Sequence, residues 1–232
     1  MLLLYGRRRL GKTFLLQRYF TAGVEGDGHE KPHCYFLAEQ STAAVQRLTL
    51  ARQLIVALPG EGVSAEDIAI SWNALFRYAS QQATGRKKGS GRFALILDEF
   101  PYLVDQTPEL LSILQAWWDR EAVHSPLFIV LCGSQLSAMA ALGQESAPLF
   151  GRFNAGVFHL DPLRYEDVAP FYADSPHYGV VEKLLMYGVF GGTPRYHALV
   201  DTSHPPAEEI VTLLMQPRAI LENEVRFLLG SE

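Results

Sequence analysis

The octapeptide Gly6–Thr13 reads GRRRLGKT, which is the G-x-x-x-x-G-K-T pattern of a phosphate-binding loop. The short apolar run Leu2–Tyr5 precedes it and predicts a buried strand, and Lys12–Phe20 predicts a helix after it. Glycines let successive backbone N–H groups face an anion, and a helix N-terminus adds further N–H groups. The motif therefore predicts a site for nucleotide phosphates between a strand and a helix.

Each part of this loop has a predicted contact. We expect the Lys12 ammonium to meet the β- and γ-phosphates and the Thr13 hydroxyl to ligate Mg²⁺. The three arginines lie on the outer, solvated face of the loop, or one of them reaches a phosphate or a partner. Phe14 is expected among three apolar residues on the inner side of the helix, with Leu15 and Leu16. The predicted nucleotide-binding residues are Gly6, Arg7, Arg8, Arg9, Leu10, Gly11, Lys12, Thr13, Phe14 and Pro194.

Two adjacent carboxylates end the apolar run FALILDE at residues 93–99. Parallel sheets bind ligands outside the carboxyl ends of their strands. We expect Asp98 to hold the Mg²⁺ shell, directly or through water, and Glu99 to orient or deprotonate an attacking water. A carboxylate beside the metal ligand suits attack by water, and this favours an ATPase over a small-molecule kinase.

Three further segments supply polar candidates. Ser134, or secondarily Gln135, follows the apolar run Leu127–Leu131 and could reach the γ-phosphate or the water, although a helix N-cap by Ser134 is the alternative. Arg152 could neutralise transition-state charge in this chain or in a neighbouring subunit, or could form a surface salt bridge. The turn Gly191–Tyr196 could line the adenine pocket, or could simply join two helices.

The apolar runs are continuous and alternate with helical patterns, which predicts an α/β fold with a parallel sheet covered on both faces. The predicted strands are Leu2–Tyr5, His33–Leu37, Phe93–Leu97, Leu127–Leu131 and Val157–Leu160. The predicted helices include Lys12–Phe20, Thr42–Leu58, Ile70–Ala83 and Pro108–Glu121, with mostly helical sequence from Tyr165 to Leu229. Gly23–His29 is predicted to be a loop.

Composition narrows the function classes. The net charge of −5 carries no overall signature of nucleic-acid binding, although the arginines of residues 7–9 and the basic linker 86–92 could form a local basic stripe. Cys34 and Cys132 lie in apolar runs, as expected of buried reduced thiols. The apolar runs are too short to span a bilayer, and the first residues are too short for a signal peptide, so we expect a cytoplasmic protein.

The segments GRRRLGKT, LILDEFPYL, LCGS, LFGR and GGTPRY, in this order, closely resemble the archaeal-type ATPases, which are prokaryotic P-loop ATPases related to the AAA+ and STAND proteins. The resemblance implies a three-layer sandwich of the additional-strand type in residues 1–162 and a small helical lid in residues 163–232. It implies that the Ser134 strand separates the Glu99 strand from the phosphate-loop strand. It assigns a Walker B pair to Asp98 and Glu99, a sensor position to Ser134, and nucleotide contact to the Gly192–Pro194 turn.

Two departures from this family concern the ends of the chain. Family members usually have a segment before the first strand that helps seat adenine, whereas here Met1 stands immediately before that strand. Members also usually continue into a winged-helix domain, whereas here the sequence stops at Glu232, within a predicted helix over Arg218–Leu229. We expect a truncated lid.

The function predicted from these residues is Mg²⁺-dependent ATP hydrolysis that drives a conformational switch, with ATP and Mg²⁺ as cofactors. The alternative is a poorly hydrolysing nucleotide-binding module that recognises DNA or a protein partner. A small-molecule kinase is a third hypothesis, although no acceptor-binding signature supports it. An oligomer is compatible with each of them.

Overall fold

A five-stranded parallel sheet forms the centre of the computed structural model, which describes residues 1–21, 31–86, 91–121, 124–222 and 224. Its strand order is β2-β3-β4-β1-β5, and every pairing is parallel. The strands are β1 (Leu2–Tyr5), β2 (His33–Leu37), β3 (Phe93–Asp98), β4 (Leu127–Gly133) and β5 (Val157–His159). The predicted α/β fold is confirmed, and β4 separates β3 from β1 as the family resemblance implies.

The inner strands are continuous apolar runs because helices cover both faces of the sheet. On one face, β3 residues Leu95 and Leu97 pack with residues of α2, α4 and α6, which span Ala43–Ala57, Trp72–Gly85 and Leu110–Glu121. On the other face, Ile96 packs with Leu16 and Phe20 of α1, which spans Lys12–Thr21. The remaining helices of this part are α3 (Ala65–Ile68), α5 (Pro101–Gln106) and α7 (Leu136–Ala141).

The helix α1 departs from the prediction about its apolar face. Its buried residues are Lys12, Leu16 and Phe20, which are spaced by four and share one side of the helix. Phe14 is 72% exposed and Leu15 is 49% exposed. The prediction that Phe14 and Leu15 face inward is wrong, because only one of three consecutive helical residues can lie on a narrow buried face.

Helix starts follow from local caps rather than from apolar periodicity. The Thr42 side chain accepts a hydrogen bond from the Val45 N–H and begins α2, and Ser71 does the same for Ala74 at the start of α4. The cap at Ser71 explains why α4 begins at Trp72, two residues after the predicted start.

The described residues divide into two compact units. The first contains Met1–Arg8 and Lys12–Leu160, and the second contains Arg9–Gly11 and the described residues from Asp161 onward. The second unit is helical, with a small core that includes Tyr172, Met186, Phe190 and Leu213. Its helices are α8 (Tyr165–Val168), continued by a 3₁₀ turn over Ala169–Tyr172, α9 (Val180–Phe190), α10 (Pro194–His197) and α11 (Pro206–Ile210), continued by a π-helical turn over Val211–Met215.

Several predictions fall on residues that the structure does not describe. The loop Gly23–His29 lies outside the described residues, as do positions 87–90 of the basic linker and most of the predicted helix Arg218–Leu229. Among the residues that are described, no helix is both long and apolar enough to cross a membrane.

Candidate nucleotide-binding site

The loop after β1 requires glycine at two positions. A Cβ atom on Gly6 would lie 2.5 Å from the Leu160 carbonyl oxygen, which belongs to the backbone and cannot easily move. Gly11 has a φ of +89°, which favours glycine, and Arg9 has a φ of +69°. Left-handed residues turn neighbouring backbone N–H groups to one side of the chain, as anion-binding loops require.

Lys12 begins α1 and is buried against its own loop. Its Nζ donates to the carbonyl oxygens of Gly6 and Arg7, each at 2.8 Å. Burial lowers the pKa of Lys12, although the negative charges of Glu99 and Asp98 oppose this shift. An ammonium carries three N–H donors, so these two bonds leave one for a further acceptor such as a phosphate oxygen.

Asp98 ends β3 and lies against the residue that follows Lys12. Its Oδ2 accepts a hydrogen bond from Thr13 Oγ1 at 2.8 Å and another from the Tyr35 hydroxyl, and its Oδ1 accepts from the Glu99 N–H at 2.9 Å. The Asp98 side chain is buried, whereas Thr13 is exposed. The structure thus brings together the two predicted metal ligands, Thr13 and Asp98.

This pair of oxygen donors fits Mg²⁺. Mg²⁺ takes hard oxygen ligands and is usually held by one or two protein side chains, with phosphates and water filling the rest of the octahedron. Among the described residues there is no cluster of three or more histidine, cysteine, aspartate or glutamate side chains that could hold a metal. One hydroxyl and one carboxylate are therefore donors of the kind that a nucleotide-bound Mg²⁺ would use, and unlike those of an all-protein metal cage.

Glu99 and Ser134 also meet at this edge of the sheet. The Ser134 Oγ lies 3.0 and 2.9 Å from the two carboxylate oxygens of Glu99, and the Ser134 N–H donates to Oε2 at 3.4 Å. Glu99 has a φ of +51°, which is unusual for a residue with a side chain. The alternative N-cap role of Ser134 is not observed, since Gln135 occupies the N-cap of α7 without a side-chain hydrogen bond.

Close packing fixes the ends of β3 and β4 next to each other. The Phe100 N–H donates to the Cys132 carbonyl oxygen at 2.9 Å. A Cβ on Gly133 would lie 2.9 Å from Cδ of Pro101 and 2.8 Å from Sδ of Met139, so only glycine fits without a shift. This contact aligns the Asp98–Glu99 corner with Ser134.

Arg152 is held by other groups. Its Nε and Nη2 donate to the two carboxylate oxygens of Asp119 at 2.9 and 2.7 Å, and its Nη1 donates to the carbonyl oxygens of Pro148 and Phe150. Asp119 raises the pKa of Arg152. This arrangement is the salt bridge that the sequence left open as the alternative for Arg152.

The second unit contains the Gly191–Pro194 turn and an ion pair between Arg9 and Glu224. Gly191 ends α9 with a φ of +60°, and Pro194 is the first residue of α10. Arg9 Nη2 lies 2.5 Å from Glu224 Oε1, and the Tyr196 hydroxyl donates to the other oxygen of that carboxylate at 3.0 Å. Arg9 is thus paired with a carboxylate, although its side chain remains 39% exposed.

Sequence reasoning missed Tyr35 and Cys132 as neighbours of the site. Tyr35 lies in β2 on the same face as Leu37, the residue paired with Asp98 in the sheet. Cys132 is the penultimate residue of β4 and lies next to Lys12 and Asp98, and burial raises the pKa of its thiol. Only their position in the sequence could have identified them, since both residues lie in strands near the edge of the sheet where the ligand-binding motifs are found.

Comparisons with known proteins identify a family and several relatives of this chain. A family described as an ATPase domain predominantly from Archaea matches residues 1–200. An uncharacterized protein of Methanocaldococcus jannaschii is 27% identical over 233 residues, which is 100% of this chain and 46% of that protein. A second uncharacterized protein of the same organism is 35% identical over 60 residues, or 26% of this chain and 53% of that protein. The chain spans about half the length of these relatives.

Solved structures show the same fold at low identity. The Walker-type ATPase PABY2304 of Pyrococcus abyssi has a TM-score of 0.61 at 18% identity, covering 99% of this chain and 71% of that one. The ORC2 protein of Aeropyrum pernix, in ADPNP–ADP complexes, has a TM-score of 0.51 at 19% identity, covering 97% and 57%. Cdc6p of Pyrobaculum aerophilum has a TM-score of 0.51 at 16% identity, covering 96% and 56%. With a phosphate-binding loop, an acidic strand end and a matching family over residues 1–200, the chain belongs to the ATPase domain family found predominantly in Archaea.

Proposed function

We propose that this chain binds ATP with Mg²⁺ and hydrolyses the bond between the β- and γ-phosphates, and that hydrolysis drives a conformational switch. The observation that carries the proposal is the 2.8 Å hydrogen bond between Thr13 and Asp98, which joins the phosphate-binding loop to the acidic strand end. Lys12 and Glu99 flank this pair in sequence. The family match and the ORC2 complexes with ADP and ADPNP support a nucleotide as the ligand.

In this proposal the loop wraps the phosphates. Backbone N–H groups of residues 6–13 would donate to phosphate oxygens, and Lys12 would exchange a carbonyl partner for the β- and γ-phosphates. Phe14 has an exposed ring that is available to stack on adenine, and Pro194 is the further residue proposed to contact the nucleotide. Residues 1–162 would act as the ATPase core and residues 163–232 as a helical lid.

Different residues would bind the metal and activate the attacking water. Thr13 and Asp98 would hold Mg²⁺, which would neutralise the charge that develops on the phosphates during hydrolysis. Glu99 would accept a proton from the attacking water or orient it, once it turns from Ser134, whose N–H and hydroxyl donate to the Glu99 carboxylate here. Arg152 would stabilise transition-state charge only after releasing Asp119.

Replacing Glu99 by Gln tests the hydrolytic step. The amide keeps the shape of the side chain and can still accept from Ser134, but it cannot take a proton. We expect the hydrolysis rate to fall by about 10²–10⁴-fold while Mg²⁺-dependent ATP binding is retained. Phosphate release and binding of a fluorescent ATP analogue measure the two quantities separately.

The matched control is Glu109→Gln, which makes the same change at an exposed glutamate before α6 and should leave both quantities unchanged. Turnover that survives Glu99→Gln would contradict Glu99 as the base. Lys12→Ala should abolish binding itself, and retained binding in that variant would contradict the assignment of the loop.

One observation favours the alternative of a poorly hydrolysing module that recognises DNA or a protein. The Glu99 carboxylate is already engaged by Ser134, so it must be released or re-aimed before it can act on water. Single-turnover measurements discriminate the hydrolysing switch from the regulatory module, because the module should retain bound ATP uncleaved for many minutes. Salt-sensitive DNA binding that is weakened by replacing the exposed Arg7 and Arg8 would identify the partner as nucleic acid.

A further inference from the structure

We infer that Tyr35 is a positioning residue for the Mg²⁺-binding carboxylate, because its hydroxyl donates to the same Asp98 oxygen that accepts from Thr13. The inference rests on the proposed function, since the orientation of Asp98 matters in this way only if the site takes a nucleotide with Mg²⁺. Nothing in the phosphate-loop or acidic-strand motifs includes this residue, which lies in a different strand.

The fold holds the Tyr35 ring in place. Tyr35 is at the centre of β2, where it pairs with Ile96, and the next residue on its face, Leu37, pairs with Asp98. Its ring packs against the apolar cluster under α1, which contains Leu16, Phe20, Ile96, Val130 and Cys132. A ring fixed by both the strand and this cluster delivers its hydroxyl to one defined point beside Asp98.

The hydrogen bonds of Asp98 account for the orientation of its carboxylate. Tyr35 and Thr13 donate to Oδ2, and the Glu99 N–H donates to Oδ1. When Mg²⁺ is bound, the Thr13 oxygen would serve as a metal ligand. The Glu99 N–H holds only Oδ1 of the Asp98 carboxylate. The Tyr35 hydroxyl is thus a side-chain donor that holds Oδ2 without itself ligating the metal, and the Cys132 thiol also hydrogen-bonds to Asp98.

Tyrosine suits this task because it is neutral. A lysine or arginine at the same place would orient the carboxylate but would also cancel the charge that attracts Mg²⁺. A phenol donates one hydrogen bond and leaves the full negative charge on Asp98. A phenol is protonated at neutral pH, so the hydroxyl remains a donor.

The test is Tyr35→Phe, read by nucleotide binding rather than by turnover. A fluorescent ATP analogue is titrated with Mg²⁺, and its affinity is also measured in excess chelator. We expect the Mg²⁺ concentration at half-saturation to rise roughly tenfold to a hundredfold, as for loss of a hydrogen bond to a charged group, with the nucleotide affinity in chelator unchanged. A merely structural role would lower both affinities together or neither.

The matched control is Tyr78→Phe, which removes a buried hydroxyl that donates to the Leu58 carbonyl oxygen at 2.6 Å elsewhere in the first unit. It should cost comparable stability without moving the Mg²⁺ midpoint. The Asp98→Ala background completes a double-mutant cycle, in which Tyr35→Phe should have no further effect on the midpoint.

The outcomes separate the inference from the proposed function. The role of Tyr35 alone is overturned if Tyr35→Phe leaves the Mg²⁺ midpoint at the wild-type value. It is also overturned if Tyr35→Phe shifts the midpoint equally in the wild-type and Asp98→Ala backgrounds. A wild-type chain that binds no nucleotide at any Mg²⁺ concentration overturns both. If Tyr35→Phe fails to fold, Tyr35→Leu removes the hydroxyl with a different apolar side chain, and an unchanged Mg²⁺ midpoint in that variant overturns the inference.

Discussion

Glu99 shows what a single residue contributes at this site. It follows a fully buried strand, and its left-handed backbone turns the chain so that the carboxylate meets Ser134 while the Phe100 N–H reaches the Cys132 carbonyl. A side chain in this region of conformational space costs about 1–3 kcal/mol, and such costs tend to persist where function requires the geometry. The conformation at Glu99 is therefore evidence that the corner is built for its side chain.

The strain at Glu99 can be measured by comparing two substitutions. Glu99→Gly and Glu99→Ala both remove the hydrogen bonds from Ser134, but only glycine relieves the left-handed backbone. We expect the glycine variant to have a free energy of unfolding about 1 kcal/mol higher than the alanine variant. Chemical denaturation of the two proteins checks this, and equal stability would contradict a strained corner.

At the scale of elements, the parallel sheet explains which parts of the site could be predicted. β3 and β4 are buried on both faces, so they appear in the sequence as uninterrupted apolar runs, and their ends place Asp98 and Ser134 at one edge. Lys12 and Thr13 were found because glycine spacing marks the loop. Tyr35 could not be found, since its partner is set by the β2–β3 register, which no local motif encodes.

The errors of prediction at this scale also have physical causes. Phe14 was expected to face inward because three apolar residues stand together, but a helix buries only one face and α1 uses Leu16 and Phe20 for it. The start of α4 was misplaced because Ser71 caps it, and a cap is a weaker signal than apolar spacing. Arg152 has the same sequence surroundings whether it serves a reaction or binds Asp119.

The junction of β4 with α5 and α7 should be intolerant of a single methyl group. Gly133→Ala would place a Cβ against the rigid Pro101 ring and Met139, and we expect a loss of about 1–3 kcal/mol in the free energy of unfolding. Gly143→Ala is the matched control, because its Cβ would meet only the Ala140 carbonyl oxygen at an ordinary 3.6 Å. Denaturant unfolding measures the free energy of unfolding of both variants, and similar values would contradict tight packing at the junction.

At the scale of the whole molecule, the two cysteines connect global stability to ligand binding. Cys34 and Cys132 are free and lie on opposite faces of the sheet, and both are buried. Burial raises the pKa of Cys34 to about 12 and also raises the pKa of Cys132. A thiol that is both inaccessible and protonated reacts only when the protein opens.

Thiol labelling should therefore report unfolding and its suppression by ATP. At pH 8 we expect native protein to react at least ~10³-fold more slowly than protein unfolded in urea. Where labelling requires global opening, MgATP at one hundred times its dissociation constant should slow it a further ~100-fold. Variants with Cys34→Ala or Cys132→Ala separate the two thiols. Rapid labelling of the native chain contradicts the burial of the thiols, and indifference to MgATP contradicts nucleotide binding.

The position of β2 in the described sheet has a consequence for the metal. Its only neighbour there is β3, so it forms one border of the sheet, where strand pairing can fray at lower cost than between inner strands. Fraying would carry the Tyr35 hydroxyl away from Asp98 and leave the carboxylate free to rotate. A substitution or a bound protein that stabilises the pairing of β2 with β3 would therefore raise the affinity for Mg²⁺ without contacting the metal site.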